Sequence, residues 1–216
     1  MDSRRAESFS DGVFAVAITI LVFNLLPIAD KTQLHLSVHG YHGHPGLVSY
    51  WPAYMAYVVS FLTIGIMWLN HHTILAHVSR VDRPLLVLNL LLLMGIVAVP
   101  FPTALVAEHL LEEGGTAATV TYGIVMIAIS AGFVGVWVYV VTHARSLGAP
   151  LPPSALRRSV PGFALGGVAY AAGTLIAAFW SPVAGLIIFG ALAVYYLFEH
   201  LPSPAEEPAA GEPPAG

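Results

Sequence analysis

Six long apolar stretches dominate this sequence, at approximately residues 9–27, 51–71, 84–106, 117–141, 160–180 and 183–200. At 1.5 Å of rise per residue, a helix of about 20 residues crosses the roughly 30 Å hydrocarbon core of a bilayer. No core of a 216-residue chain has room for six such helices while leaving a solvated surface. Only 9% of the residues are charged and 57% are hydrophobic, against about 25% charged in an ordinary soluble domain. A bilayer removes the conflict by solvating apolar surface directly. It also requires every backbone polar group to be satisfied within the span, as a helix does. The expected class is therefore an all-α membrane protein with six transmembrane helices.

Basic residues set the orientation. Arg4 and Arg5 precede the first span, Arg80 and Arg83 lie between the second and third, and Arg145, Arg157 and Arg158 lie between the fourth and fifth. Lys31 alone falls on the other side, so seven of the eight Lys and Arg residues share one face, a positive-inside bias that places both termini in the cytoplasm. Tyr50, Trp51, Tyr54 and Trp180 fall at membrane–water interfaces. Ser181-Pro182 reads as a tight hairpin turn, and Pro100 and Pro102 predict a kink in the third span. Residues 1–200 form the six-span domain, and the Pro-, Ala-, Gly- and Glu-rich tail 201–216 is expected to be disordered.

Other classes are disfavoured by what the chain lacks. It has no cysteine, hence no disulfide, iron–sulfur or thiolate zinc chemistry. The net charge of −4 without a basic cluster argues against nucleic acid. The first apolar run has no small-x-small cleavage site and reads as a span, not a signal peptide. No His-Glu-x-x-His, spanning His-x-x-x-His or Gly-x-Ser-x-Gly motif suggests an enzyme. The principal alternative is a secondary transporter or uniporter of small solutes. Asp11, Asp30, Asp82, Glu108 and Glu199 all fall at span ends or in loops, away from the mid-membrane position that ion coupling favours.

The first span opens with Arg5-Ala-Glu-Ser-Phe9-Ser10-Asp11-Gly12. Read locally, this is a helix start: Ser8 and Asp11 have capping-box spacing, and Asp11 suits the positive end of the helix dipole. In full, Arg5-x-x-x-Phe9-Ser10-Asp11 followed by Gly12-Val-Phe-Ala-Val-Ala-Ile-Thr-Ile-Leu-Val22, together with Trp68-Leu-Asn70-His71-His72 at the end of span two, resembles the lysosomal potassium channel family, transmembrane protein 175, in its single-repeat bacterial and archaeal branch. The motif at the first helix is the specific part of the resemblance, and spans four to six add only hydropathy.

The resemblance implies a homotetrameric, multi-pass channel of the plasma membrane, permeable to K+ and without a cofactor, with four copies of the first helix around one axis. Stacked side-chain rings at Val16, Thr19, Ile20 and Phe23 would line the pore. Such positions, three or four apart, share a helix face. Rings of Val16 and Ile20 offer no ligands and would act as a hydrophobic constriction, while Thr19 offers a hydroxyl. Partial dehydration there favours potassium over sodium moderately. Val16 is smaller than the family's usual Ile or Leu, and Phe23 stands where Leu is usual. By topology, Arg5, Phe9, Ser10 and Asp11 should share a depth with Trp68, Asn70, His71 and His72, and such polar groups are expected to pair in a network that clamps the first helix.

His35, His39, His42 and His44 crowd the first outer loop. The expected reading is a solvated polar loop. Transition-metal binding or pH sensing is the alternative.

Overall fold

The structure is a computed structural model that describes residues 3–26, 46–149 and 154–198. The histidine-rich outer loop, including His35, His39, His42 and His44, and the tail from 201 lie outside the described residues. The described residues are mostly helical, with no strand among them. Helix α1 (Ser3–Ile20) runs into a 3-10 turn, Leu21–Leu25. A second 3-10 turn, Leu47–Tyr50, leads into α2 (Trp51–Ala76). Then follow α3 (Arg83–Ala98), α4 (Pro100–His109), α5 (Gly115–Thr142), α6 (Ser154–Phe179) and α7 (Pro182–Phe198).

Four stretches are long and apolar enough to cross a membrane: Ser3–Leu25, Leu47–Ala76, Arg83–His109 and Gly115–Thr142. The fifth and sixth expected spans correspond to α6 and α7, whose apolar stretches Leu165–Phe179 and Pro182–Leu197 are shorter. The helices outrun the hydropathy bounds because hydropathy marks only the apolar part of each. Arg4, Arg5, Ala6 and Glu7 are good helix formers and start α1 before its apolar run. The expected capping box is therefore corrected. Ser8 lies inside the helix, its Oγ donating to Arg4 O at 2.9 Å, and Asp11 lies more than two turns in, so neither caps the first turn.

Prolines punctuate the third span as expected. Pro100 has no N–H, and the hydrogen-bond ladder breaks at Val99, which keeps helical dihedrals (φ −54°, ψ −41°). At the α6–α7 turn, Ser181 Oγ accepts the N–H of Ala184 at 3.3 Å and Pro182 takes the first helical position, the serine-then-proline start that helices favour. Gly123 of α5 stands where a Cβ would collide with Thr174 of α6, and Gly185 of α7 packs on Ala177. Small residues let these backbones approach, which is how helices associate where lipid offers no hydrophobic drive. Ser60 of α2, Thr103 of α4 and Tyr122 of α5 meet in the core, Ser60 Oγ lying 2.7 Å from Thr103 Oγ1 and donating to Tyr122 Oη at 3.1 Å.

The basic segments gather at one end. The amides of Ser79 and Arg80 both donate to Leu147 O, at 3.1 and 3.0 Å, and Ser79 Oγ donates to Gly148 O at 3.0 Å. Gly148 adopts φ 64°, a left-handed conformation that glycine takes without strain. Asp82 ties this end further: its carboxylate accepts the Leu85 N–H at 3.0 Å as the α3 N-cap and the Tyr139 hydroxyl at 2.7 Å. Burial acts to raise the Asp82 carboxyl, but the hydrogen bonds from Tyr139 and Leu85 and the nearby His143 outweigh it and hold the carboxyl below its ordinary value. A carboxyl depressed in the folded state stabilises above its unfolded pKa, about 3.9, and that contribution fades as pH falls through the folded value. Asp82→Ala is therefore expected to cost about 1 kcal/mol at pH 7 through the lost cap. The gap in melting temperature between variant and parent should shrink as pH drops below about 4. Paired thermal-shift curves at pH 7 and pH 3.5 check this, and a gap that does not narrow rules it out.

Candidate functional site

Helix α1 has two faces. Ala6, Ser10, Phe14, Ala17 and Leu21, spaced three or four apart, are buried against the other helices. On the opposite face Phe9, Val16, Thr19, Ile20 and Phe23 are exposed, with Val16 53% and Phe23 58% accessible. The first span is the least covered of the four, 22% buried against 50% for the second. All four residues expected to form rings thus lie on the face of α1 that the other described residues leave bare. Thr19 is the one polar side chain among them. Its hydroxyl lies 2.9 Å from both Ala15 O and Val16 O and donates to this backbone. With its proton turned inward, the oxygen presents lone pairs outward, the arrangement that a passing cation or its water needs.

Behind this face, at the basic end, the polar residues meet in three pairings. Trp68 Nε1 donates to Asp11 Oδ1 at 2.9 Å. His72 Nδ1 lies 2.8 Å from Glu7 Oε1. His71 and Asn89 are buried together, with His71 Nε2 2.7 Å from Asn89 Oδ1, and Asn89 Nδ2 donates to Ser10 Oγ at 3.0 Å. Ser10 in turn donates to Ala6 O at 2.8 Å.

The donors fix one direction for this buried chain. Ser10 spends its proton on Ala6, so it accepts from Asn89. Asn89 therefore turns its carbonyl oxygen to His71, and His71 must carry its proton on Nε2. The other ring nitrogen, Nδ1, is buried without a hydrogen-bond partner, and the ring packs on Phe14 with centroids 5.3 Å apart.

The expected cluster is thus partly assembled within one chain. Asp11 meets Trp68, and Ser10 reaches His71 through Asn89. His71 and His72, about 100° apart around the helix, point to different partners. Arg5 is exposed and Asn70 half-buried, and neither side chain makes a hydrogen bond or ion pair among the described residues. Phe9 is on the bare face, 56% exposed.

Two members escaped the sequence reading. Asn89 interrupts the run Leu-Leu-Val-Leu-Asn-Leu-Leu-Leu-Leu, and a lone amide in such a run must find a partner, which was the available signal. Glu7 carried no such signal, because it precedes the apolar run, where a carboxylate needs no partner but water. No group of three or more metal-ligating side chains occurs among the described residues.

Residues 5–100 match the family described as the endosomal/lysosomal potassium channel TMEM175. A potassium channel of Streptomyces collinus is 43% identical over 211 residues, covering 97% of this chain and 98% of the relative. One of Chamaesiphon minutus is 40% identical over 146 residues, 68% of this chain and 70% of the relative. The endosomal/lysosomal proton channel TMEM175 of Gallus gallus is 34% identical over 110 residues, which is 50% of this chain and 22% of that longer protein. The crystal structure of a lysosomal potassium-selective channel TMEM175 homolog from Chamaesiphon minutus superposes with a TM-score of 0.72 at 32% identity, over 90% of this chain and 96% of that one.

Proposed function

Because the chain belongs to the family of the endosomal/lysosomal potassium channel TMEM175, an ion-channel family, we propose that it is a subunit of a potassium-permeable channel in the plasma membrane. Four copies assemble with their α1 helices around a common axis. Each copy spans the membrane six times, through α1, α2, α3–α4, α5, α6 and α7, with both termini in the cytoplasm.

The observation that carries this reading is the bare face of α1. Its buried face fixes the helix to its own subunit, and its uncovered face holds Val16, Thr19, Ile20 and Phe23 in one stripe. A helix apolar on both sides is stable facing lipid or facing sister helices. The pairings at its basic end, Asp11 with Trp68 and Glu7 with His72, hold it in rotational register, as a pore-lining helix requires.

Conduction then follows from the side chains. Val16 and Ile20 form a narrow apolar ring that a fully hydrated ion does not pass without losing water. Thr19, about one turn after Val16 and next to Ile20 in the chain, supplies four oxygens per tetramer where that water is lost. Potassium gives up water more readily than sodium, so the constriction discriminates moderately between them.

The test is flux into liposomes holding the purified protein, with K+ or Na+ as the permeant ion. The parent should pass K+ faster than Na+. Thr19→Val should lower that ratio by about fivefold, the equivalent of losing one contact worth about 1 kcal/mol. A variant ratio equal to the parent's removes Thr19 from the selectivity path. The absence of any ion flux from the parent removes the channel reading.

A further inference from the structure

Between Gly12 and Leu26 only Thr19 and Asn24 carry polar side chains. An amide at membrane depth is costly unless it is paired, and Asn24 is paired across the bundle. Its Nδ2 donates to Pro100 O at 3.2 Å. Pro100 is the first residue of α4, buried beside the break at Val99. Asn24 thus ties the outer end of the first span to the interrupted point of the third.

The tie falls inside the one stretch of the first span that is not α-helical. Leu21–Leu25 is wound as a 3-10 turn. Three residues per turn instead of 3.6 adds about 20° of rotation per residue, so Phe23, three steps beyond Ile20, points about 60° away from where a continued α-helix would aim it. The same five residues span about 2.5 Å more along the axis. Rewound as an α-helix, Asn24 itself would swing by about 80° and leave the Pro100 carbonyl. The winding of this turn and the hydrogen bond are therefore coupled. Leu21, fully buried at the start of the turn, anchors its inner end.

We infer that Asn24 is a positioning residue for the outer ring: its amide, held by the Pro100 carbonyl, keeps Leu21–Leu25 in the 3-10 winding and so fixes the direction in which Phe23 points. This rests on the reading of Phe23 as a ring side chain. Asn24 contacts no ion in this account and acts through Phe23 alone.

The experiment compares Cs+ with K+ flux in liposomes for the parent, Asn24→Leu, Phe23→Ala and the double variant, each confirmed to have the parent's oligomeric state by gel filtration in detergent. Cs+ is the larger ion and reports the width of the outer ring. Asn24→Leu is expected to change the Cs+/K+ ratio by about threefold, the scale of one modest hydrogen bond. Phe23→Ala should change it too, and in that background Asn24→Leu should have no further effect, since the side chain it aims is gone. A silent Asn24→Leu beside an effective Phe23→Ala overturns the positioning role and leaves the ring standing. An Asn24→Leu effect undiminished in the Phe23→Ala background overturns it as well. A silent Phe23→Ala removes the ring at this position and the positioning role with it. Should Asn24→Leu not assemble, Asn24→Ser, whose shorter side chain does not reach Pro100, is read in the same way.

Discussion

Substituting Asn89 by leucine is expected to lower the melting temperature of the protein by about 4–10 °C, equivalent to about 2–3 kcal/mol. The two side chains are close in shape, so little cavity forms. The cost arises from His71, whose Nε2–H loses its acceptor inside the bundle, with a smaller part from Ser10. A buried donor left without a partner carries its full desolvation penalty, about 1–3 kcal/mol, whereas replacing both partners by apolar groups is often close to neutral. The double variant His71→Phe/Asn89→Leu should therefore recover most of the lost stability. Thermal unfolding in detergent, followed by tryptophan fluorescence, distinguishes the cases. If Asn89→Leu melts with the parent, the Ser10–Asn89–His71 chain does not hold α1 to α2 and α3.

Ile20→Asn should have the largest effect on flux. Ile20 is exposed on the bare face one helical turn from Val16. In the proposed tetramer this substitution replaces four apolar side chains by four amides and lets water wet the constriction. Potassium flux should rise by about tenfold, which corresponds to removing about 1.4 kcal/mol from the barrier. Discrimination between K+ and Na+ should fall toward unity, because ions then pass with more of their water. Isotope uptake into liposomes at matched protein content measures both. If flux and ratio are unchanged while the oligomer is intact, Ile20 faces lipid and the narrow point lies elsewhere.

Hydropathy made the four long apolar helices legible, because burial in lipid needs unbroken apolar runs. The prolines at 100 and 102 announced the interruption of the third span because no fold supplies their missing amide. Pairing was partly legible. Asp11 and Trp68 were expected at one depth because topology places the start of the first span beside the end of the second, and the 2.9 Å hydrogen bond joins them. The capping reading of Ser8 and Asp11 failed for a related reason. Local spacing cannot tell whether a helix begins at a motif or several residues before it, and the residues from Ser3 onward were helix formers.

Composition and order alone determined that this chain is built of long apolar helices, four of them of membrane length, and that Thr19 and Asn24 are the polar side chains of the first span beyond Gly12. Only the tertiary structure decided which face of that helix is covered. From Gly12 to Phe23 the helix is apolar all round apart from Thr19, so periodicity there gives no preferred side, and the choice is made by the helices packed against it. Tertiary structure likewise selected Asn89, Glu7 and Asn24 as partners, since hydrogen bonds between residues 76 and 79 positions apart, as in Asn24–Pro100 and Ser10–Asn89, depend on distances that exist only once the bundle has closed.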